Sequence, residues 1–239
     1  MSLEHPAEAA RSNSKPVAAR PPGLLISGVI LLALGVVEAA IIASNVLAPP
    51  WQGMDDSWRQ TMEGSRDGTL TAFAKIVDFV GGPVGGIVIL LALVGVFVYR
   101  GRPHAAMFLA IGTVATTVVA QVTKKIVDRP RPLDPLVRVD HGSFPSGHMV
   151  FVVSTAIMLV AVLTIAGRRR LGVTLAVAAT ALIVWDRTYL GAHWLSDTIG
   201  GLLLGGGTTL VLWWLMTPYL SAEKPVDPNP VNPNKETAT

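Results

Sequence analysis

Cysteine is absent from the 239 residues, and charged residues are few. Without cysteine, the chain can form no disulfide, offer no thiolate nucleophile and bind no metal through thiolate ligands. Charged residues make up 15% of the sequence and hydrophobic residues 51%, whereas soluble domains contain about 25% charged residues. The formal net charge of +3 is too small to suggest a nucleic-acid partner. These deficits favour an integral membrane protein.

Long apolar runs divide the chain. Six of them approach or exceed the roughly 17–25 residues that a helix needs to cross the hydrocarbon layer. They lie at residues 24–47, 76–99, 105–122, 146–166, 171–185 and 193–215. The first run is longer than the core of a signal peptide, which has about 7–15 residues, so we expect it to be retained. The sequence therefore predicts an all-α integral membrane protein, a six-transmembrane-helix bundle.

Polar segments flank and interrupt these runs. Residues 1–22 and 219–239 are rich in proline and charge and are predicted to be disordered tails around a membrane domain at 23–218. The connection after the first run is predicted to contain a short surface helix at residues 55–63. Glu38 lies inside the first run, where a structural hydrogen bond is favoured over a chemical role.

Basic residues suggest an orientation. Three predicted cytoplasmic segments carry them, and their members are Arg11, Lys15, Arg20, Arg100, Arg102, Arg168, Arg169 and Arg170. By the positive-inside rule, both termini are then cytoplasmic and the opposite face is outside.

Three polar clusters lie on that opposite face, at residues 124–132, 145–148 and 187–197. Two apolar runs separate the second cluster from the third, so the chain leaves this face and returns to it. Lys124, Arg131 and Arg187 supply positive charge that would neutralise the oxygens of a phosphate ester. This charge balance requires no metal and no other cofactor. Two further arginines, Arg129 and Arg138, are interpreted as solvated loop residues.

The second cluster has the composition of a helix start. Ser146 is a plausible N-cap, and Gly147 would let a ligand approach the backbone. The free N–H groups of a helix N-terminus favour an anion. Pro145, Ser146, Gly147 and His148 are therefore predicted to form a phosphate cradle.

His193 and Asp197 are four residues apart, which places them on one side of a helix. A carboxylate that holds one imidazole nitrogen leaves the other free to attack phosphorus. His148 is then the candidate acid that protonates the leaving oxygen and the base for the later attack by water.

Taken together, the three clusters resemble the motifs of the type 2 phosphatidic acid phosphatase family. Lys124, six residues and Arg131-Pro132 match its first motif, and residues 145–148 match its Pro-Ser-Gly-His motif. Arg187, His193 and Asp197 match the third at the family spacing. The resemblance implies a six-helix bundle with its active site at the extracytoplasmic membrane interface.

One position departs from the family pattern, because Asp186 stands where a serine usually precedes the arginine. The sequence leaves open whether this carboxylate pairs with Arg187, pairs with Lys125 or points away.

The resemblance implies a hydrolase of membrane lipid phosphates that acts through a phosphohistidine and without a metal. Similarity to bacterial members suggests a prenyl diphosphate or a phosphatidylglycerophosphate-type lipid as the substrate, in the plasma membrane. A phosphotransferase, a sugar-phosphate phosphatase and a non-catalytic lipid transporter remain alternatives. We expect no partner beyond the lipid substrate and the surrounding membrane lipids, neither nucleic acid nor an obligate protein.

Overall fold

The computed structural model describes residues 20–163 and 169–223, and within them the chain is helical without strands. The helices are α1 Pro22–Ser44, α2 Gln52–Gly64, α3 Gly68–Gly81, α4 Pro83–Tyr99, α5 Pro103–Val127, α6 Gly147–Leu163, α7 Arg169–Tyr189 and α8 Leu195–Ala222. The predicted all-α class is therefore confirmed. Most of the two predicted tails, and part of the basic turn at 168–170, lie outside the described residues.

Four helices are long and apolar enough to cross a membrane, namely α1, α5, α7 and α8. The pair α3 and α4 supplies a fifth span if the two count as one. The apolar helix α6 has 17 described residues and ends at Leu163, next to residues that the structure does not describe. A bundle of six spans stays a prediction.

The second predicted span, at 76–99, is broken rather than continuous. α3 ends at Gly81 and α4 begins at Pro83, with a bend of 52° between them. Proline has no N–H to donate to the preceding turn, but it suits the first position of a new helix. The bend leaves Asp78, in the last turn of α3, beside the polar end of the bundle.

The limits of α2 and α8 differ from the predicted ones. The surface helix predicted at 55–63 is α2, longer by several residues, and it buries Asp55. The prediction of a tail from residue 219 is wrong for its first residues, because α8 continues to Ala222. Leu220 packs in a buried cluster with Phe97 and Phe108. This packing extends the helix past Pro218, where composition alone suggests that it ends.

α8 lies at the centre of the bundle and contacts α1, α5 and α6. Its glycines let neighbouring helices approach closely, as small residues do in membrane bundles. A Cβ on Gly207 would lie 2.8 Å from the backbone nitrogen of Leu32 and 2.9 Å from the carbonyl oxygen of Gly28 on α1. Any side chain at Gly207 would therefore push α1 away from α8.

We predict that Gly207→Val lowers the stability of the folded protein in detergent by about 1–3 kcal/mol, the usual cost of overpacking. Chemical unfolding followed by circular dichroism measures the change. Gly95→Val is the matched control, since a Cβ at this exposed position on α4 meets nothing within 4 Å. Equal stability of the two variants would contradict the close packing of α1 on α8.

Candidate active site

A cavity of about 600 Å³ opens between the bend of α3 and α4, α5 and α6. Residues from all three predicted clusters line its polar end. They are Lys124, Arg131, Gly147, His148, Arg187 and His193. Two other predicted site residues, Ser146 and Asp197, are fully buried and lie behind this wall. The fold thus brings together side chains that are up to 69 positions apart in the sequence, from Lys124 to His193.

His193 lies in the loop before α8 and is 5% exposed. Its Nε2 lies 3.2 Å from Nη1 of Arg131. A guanidinium can only donate, so Nε2 is the acceptor and carries the lone pair, and the ring proton belongs on Nδ1. Burial, together with the charges of Arg131 and Lys124, holds the pKa of His193 well below its usual range. The imidazole is therefore neutral at physiological pH, with its lone pair among the cations.

Asp197 faces the other ring nitrogen. Its Oδ2 lies 3.5 Å from Nδ1 of His193, a distance that is too long for a good hydrogen bond. Nδ1 has no hydrogen-bond partner among the described residues. The carboxylate itself is firmly held, because Oδ2 accepts from the backbone N–H of Trp194 at 2.8 Å and Oδ1 from Arg129 at 2.8 Å. Catalytic hydrogen bonds are often long before substrate binds, and this one has room to shorten.

His148 lies in the first turn of α6, opposite His193. Its Nε2 is 3.2 Å from Oδ1 of Asp78, and Nη1 of Arg187 lies 3.3 Å from Nδ1. The sequence prediction did not include Asp78 in the site. The available signal was an ionisable residue inside a predicted span, a position that is costly in lipid and often functional.

Each of the three candidate phosphate-binding cations already contacts a carboxylate. Asp140 binds Arg131 and lies 3.6 Å from Nζ of Lys124. Although burial opposes the shift, Lys124 and Arg131 hold the pKa of Asp140 below its usual range, so this carboxylate stays ionised. Asp78 lies 2.7 Å from Nη2 of Arg187. A phosphate entering the cavity must therefore compete with two carboxylates for its cations.

Asp186 pairs with Arg187, which answers the question that the sequence left open. Its Oδ2 accepts from Nε at 2.8 Å and lies 2.8 Å from Nη2. Asp186 is fully buried, whereas Lys125 is exposed. The carboxylate fixes the guanidinium of Arg187 with Nη1 towards His148.

The N-terminus of α6 is built from the residues of the second cluster. The backbone N–H of Ser146 donates to the carbonyl oxygen of Asp197 at 3.0 Å, and its Oγ is 3.5 Å from the backbone nitrogen of Met149. Ser146 thus joins α6 to α8, while Gly147 faces the cavity. Contact of either residue with phosphate stays a prediction.

The interpretation of Arg129 as a solvated loop residue is wrong, because its side chain is 0% exposed. It lies between Asp55 and Asp197, at 2.8 Å from each carboxylate. Asp55 is also absent from the predicted site. No local pattern joins residues that are 74 positions apart, so this pair could not be predicted from the sequence. Arg138 is exposed at the cavity rim, in agreement with its interpretation.

Comparison with known proteins gives the same family as the motifs. Residues 105–220 match the model of the PAP2 superfamily. Phosphatidylglycerophosphatase B of Bacillus subtilis (strain 168) is 33% identical over 129 residues, which are 51% of this chain and 61% of that protein. The matched region thus spans less than two thirds of this curated relative.

A crystal structure of a transmembrane PAP2-type phosphatidylglycerolphosphate phosphatase from Bacillus subtilis has the same fold. Its TM-score is 0.68 at 23% sequence identity, covering 83% of this chain and 98% of that chain. The apolar helices and this likeness agree on a protein that crosses the membrane several times. The chain is a multi-pass membrane protein, and its residues 105–220 match the PAP2 superfamily.

Proposed function

We propose that this protein is a phosphatase of membrane lipids that removes a terminal phosphate through a phosphohistidine at His193. One observation carries the proposal: the lone pair on Nε2 of His193 faces the same cavity as Lys124, Arg131 and Arg187. A neutral imidazole nitrogen is a nucleophile, and the cations neutralise the oxygens that would otherwise repel it.

The reaction follows from the positions of the two histidines. Nε2 of His193 attacks phosphorus, and the bond from phosphorus to the lipid oxygen breaks while His148 gives that oxygen a proton. The dephosphorylated lipid leaves. His148, now neutral, takes a proton from water, whose oxygen attacks phosphorus and breaks the P–N bond to release phosphate.

The shape of the cavity supports a lipid over a sugar phosphate. Beyond the polar end, its walls are apolar side chains of α4 and α6, among them Val84, Ile87, Leu90, Val150 and Phe151. An acyl or prenyl chain can lie against these walls while its phosphate reaches the cations. A soluble sugar phosphate would leave the apolar part unused.

A polar stripe on α5 favours a glycerolipid over a prenyl diphosphate. Gln121, Thr117 and Thr113 recur every four residues and line the cavity. At about 1.5 Å of rise per residue, Gln121 lies about 5 Å and Thr117 about 10 Å below Lys124. Oγ1 of Thr113 is buried without a hydrogen-bond partner among the described residues. Glycerol esters offer acceptors at this depth, and a prenyl chain offers none, so we propose a phosphatidylglycerophosphate-type substrate.

The orientation that we propose puts this site on the outer face of the plasma membrane. Arg100 and Arg102 lie at the opposite end of α4 and α5 from the cavity's polar end. The positive-inside rule assigns such a basic turn to the cytoplasm.

We predict that His193→Ala lowers phosphate release by at least about 10³-fold, since it removes the nucleophile. His148→Ala should lower it by about 10²–10⁴-fold, the usual contribution of acid–base catalysis. The assay uses a lipid with radiolabelled phosphate in detergent, and acid-labile label on the wild-type protein identifies the phosphohistidine. His104→Ala, on the opposite face, is the control. Normal turnover by His193→Ala would refute the mechanism.

We predict that the acid limb of the pH profile, the fall of kcat/KM towards low pH, lies below pH 6.5. Because the pKa of His193 is lowered in the folded protein, the ring stays unprotonated as the pH falls past 6.5, and activity is lost only when the pH passes the lower value. The lipid phosphate also ionises, with a second pKa of about 6. A substrate analogue whose phosphate ionises at lower pH separates the two effects. An enzyme limb above pH 6.5 would contradict the neutral state of His193.

We predict that wild-type protein, assayed with chelator present, prefers phosphatidylglycerophosphate to a prenyl diphosphate. Thr117→Val with Gln121→Leu should lower kcat/KM about tenfold for the glycerolipid alone, because two hydrogen bonds of about 0.5–1.5 kcal/mol each are lost. Val118→Thr, on the exposed face of the same helix, should change neither rate. An equal loss with both lipids would contradict a role for the stripe in substrate choice.

A further inference from the structure

The buried charges behind His193 form a line that reaches helix α2. Asp55 is the only residue of α2 that is buried. The side chains of Asp55, Arg129 and Asp197 are each 0% exposed. This 13-residue amphipathic helix thus inserts a single carboxylate into the protein. The carboxylate pairs with Arg129, which in turn pairs with Asp197 beside His193.

The contacts of Arg129 join the two carboxylates rigidly. Nη2 lies 2.8 Å from Oδ2 of Asp55, and Nη1 lies 2.8 Å from Oδ1 of Asp197. Nη1 also donates to Oγ of Ser196 at 2.8 Å, and Nη2 to Oε1 of Gln52 at 2.9 Å. The planar fork of a guanidinium can hold two acceptors in fixed geometry, which an ammonium cannot.

Asp55 holds the start of α8 as well. Its Oδ1 accepts from the backbone N–H of Ser196 at 2.9 Å, and its Oδ2 accepts from Oγ of Ser196 at 2.6 Å. Ser196 is the residue directly before Asp197. The position of Asp197, and hence of the carboxylate that faces Nδ1 of His193, is therefore set from two sides by Asp55 and Arg129, neither of which is among the residues that the three motifs specify.

Burying three charges is costly, at several kcal/mol for each ion before the pairing is counted. Packed apolar side chains would fill this space at no greater cost in stability. The charges end on the carboxylate that faces His193, and Asp197 is the group that lies 3.5 Å from Nδ1, which has no hydrogen-bond partner among the described residues. This arrangement points to a catalytic use of the network.

We propose that Asp55 and Arg129 are positioning residues, which set the orientation and the basicity of His193 through Asp197. The inference rests on the proposed role of His193 as the nucleophile. Asp55 adds negative charge behind the ring, and Arg129 adds positive charge. Removing Asp55 should therefore make His193 harder to protonate, and removing Arg129 should make it easier.

Other charged groups also act on His193, from every element around it. They are Lys124 of α5, Arg131 of the following loop, His148 of α6, Arg187 of α7 and Asp197 of α8. Glu38 of α1 lies within electrostatic range of Asp197, Arg129 and Asp55. None of them is altered by a substitution at residue 55 or 129. A shift of opposite sign in the two variants thus reports on the network itself.

The test compares Asp55→Asn and Arg129→Met in the full-length protein in detergent, with kcat, KM and the pH dependence of kcat/KM as readouts. We expect the acid limb to move to lower pH in Asp55→Asn and to higher pH in Arg129→Met. We also expect kcat to fall about 10- to 100-fold, as misplacement of a catalytic group causes, with KM within about twofold. Glu63→Gln, on the same helix but paired with Arg59, should leave all values unchanged.

Two further variants keep the test decisive if Arg129→Met does not fold. Asp55→Asn retains an acceptor for the N–H of Ser196, so it should fold. Arg129→Lys keeps the charge but loses the fork, and it should lower kcat without a large change in the acid limb. Wild-type kcat in Arg129→Lys, or an unshifted acid limb in a folded Asp55→Asn protein, would overturn the inference. An active His193→Ala protein would refute the proposed function itself, whereas the two outcomes just named would refute only the positioning role of Asp55 and Arg129. The two failures are thereby distinguished.

Discussion

The carboxylate of Asp197 is the point on which the geometry of the site depends. It caps the start of α8 through Trp194, accepts from Arg129 and faces Nδ1 of His193. A single side chain therefore couples a helix terminus, a buried ion pair and the candidate nucleophile. Because such a carboxylate is buried, it stays ionised only with its donors in place. The loss of any one donor would disturb all three functions together.

Charge compensation explains the remaining polar architecture. The three candidate phosphate-binding cations, Lys124, Arg131 and Arg187, would repel one another at the edge of a membrane, where the dielectric constant is low. Carboxylates offset them, with Asp140 beside Lys124 and Arg131 and with Asp78 and Asp186 beside Arg187. Asp140 and Asp78 are partly exposed and line the cavity. Asp186 is fully buried and holds its arginine in place.

The sequence was informative where a property depends on local spacing. Apolar length predicts helices, and the four-residue interval predicts that His193 and Asp197 share one side of a helix. The two side chains are in contact, but His193 lies in the loop before α8, so the prediction that both belong to one helix is wrong. The break at Pro83 was missed because a count of apolar residues does not register a change of direction. The true end of α8 depends on the packing of Leu220 against Phe97.

The pairing of Asp55 with Arg129 shows why other parts of the site could not be predicted. An arginine in a polar loop is usually solvated, and Asp55 lies in a segment with several acidic residues. Only the folded chain brings α2 against the start of α8, so no interval in the sequence marks the contact. Asp78 is an intermediate case, because its place inside an apolar run was a signal. Its partners, His148 and Arg187, become visible only after the bend between α3 and α4.

The precision of the site is a consequence of helix packing, since its groups come from different membrane helices. A Cβ on Gly201 of α8 would lie 2.8 Å from the carbonyl oxygen of Ser146, and one on Gly205 would lie 3.0 Å from Cα of Val150. These contacts leave no room for a side chain, so α6 and α8 touch at their backbones, as small residues allow in membranes. His148 begins one of these helices and His193 precedes the other. The close approach that positions His148 opposite His193 is therefore a property of the bundle, and glycines within the apolar runs contribute to the site as directly as the charged motifs do.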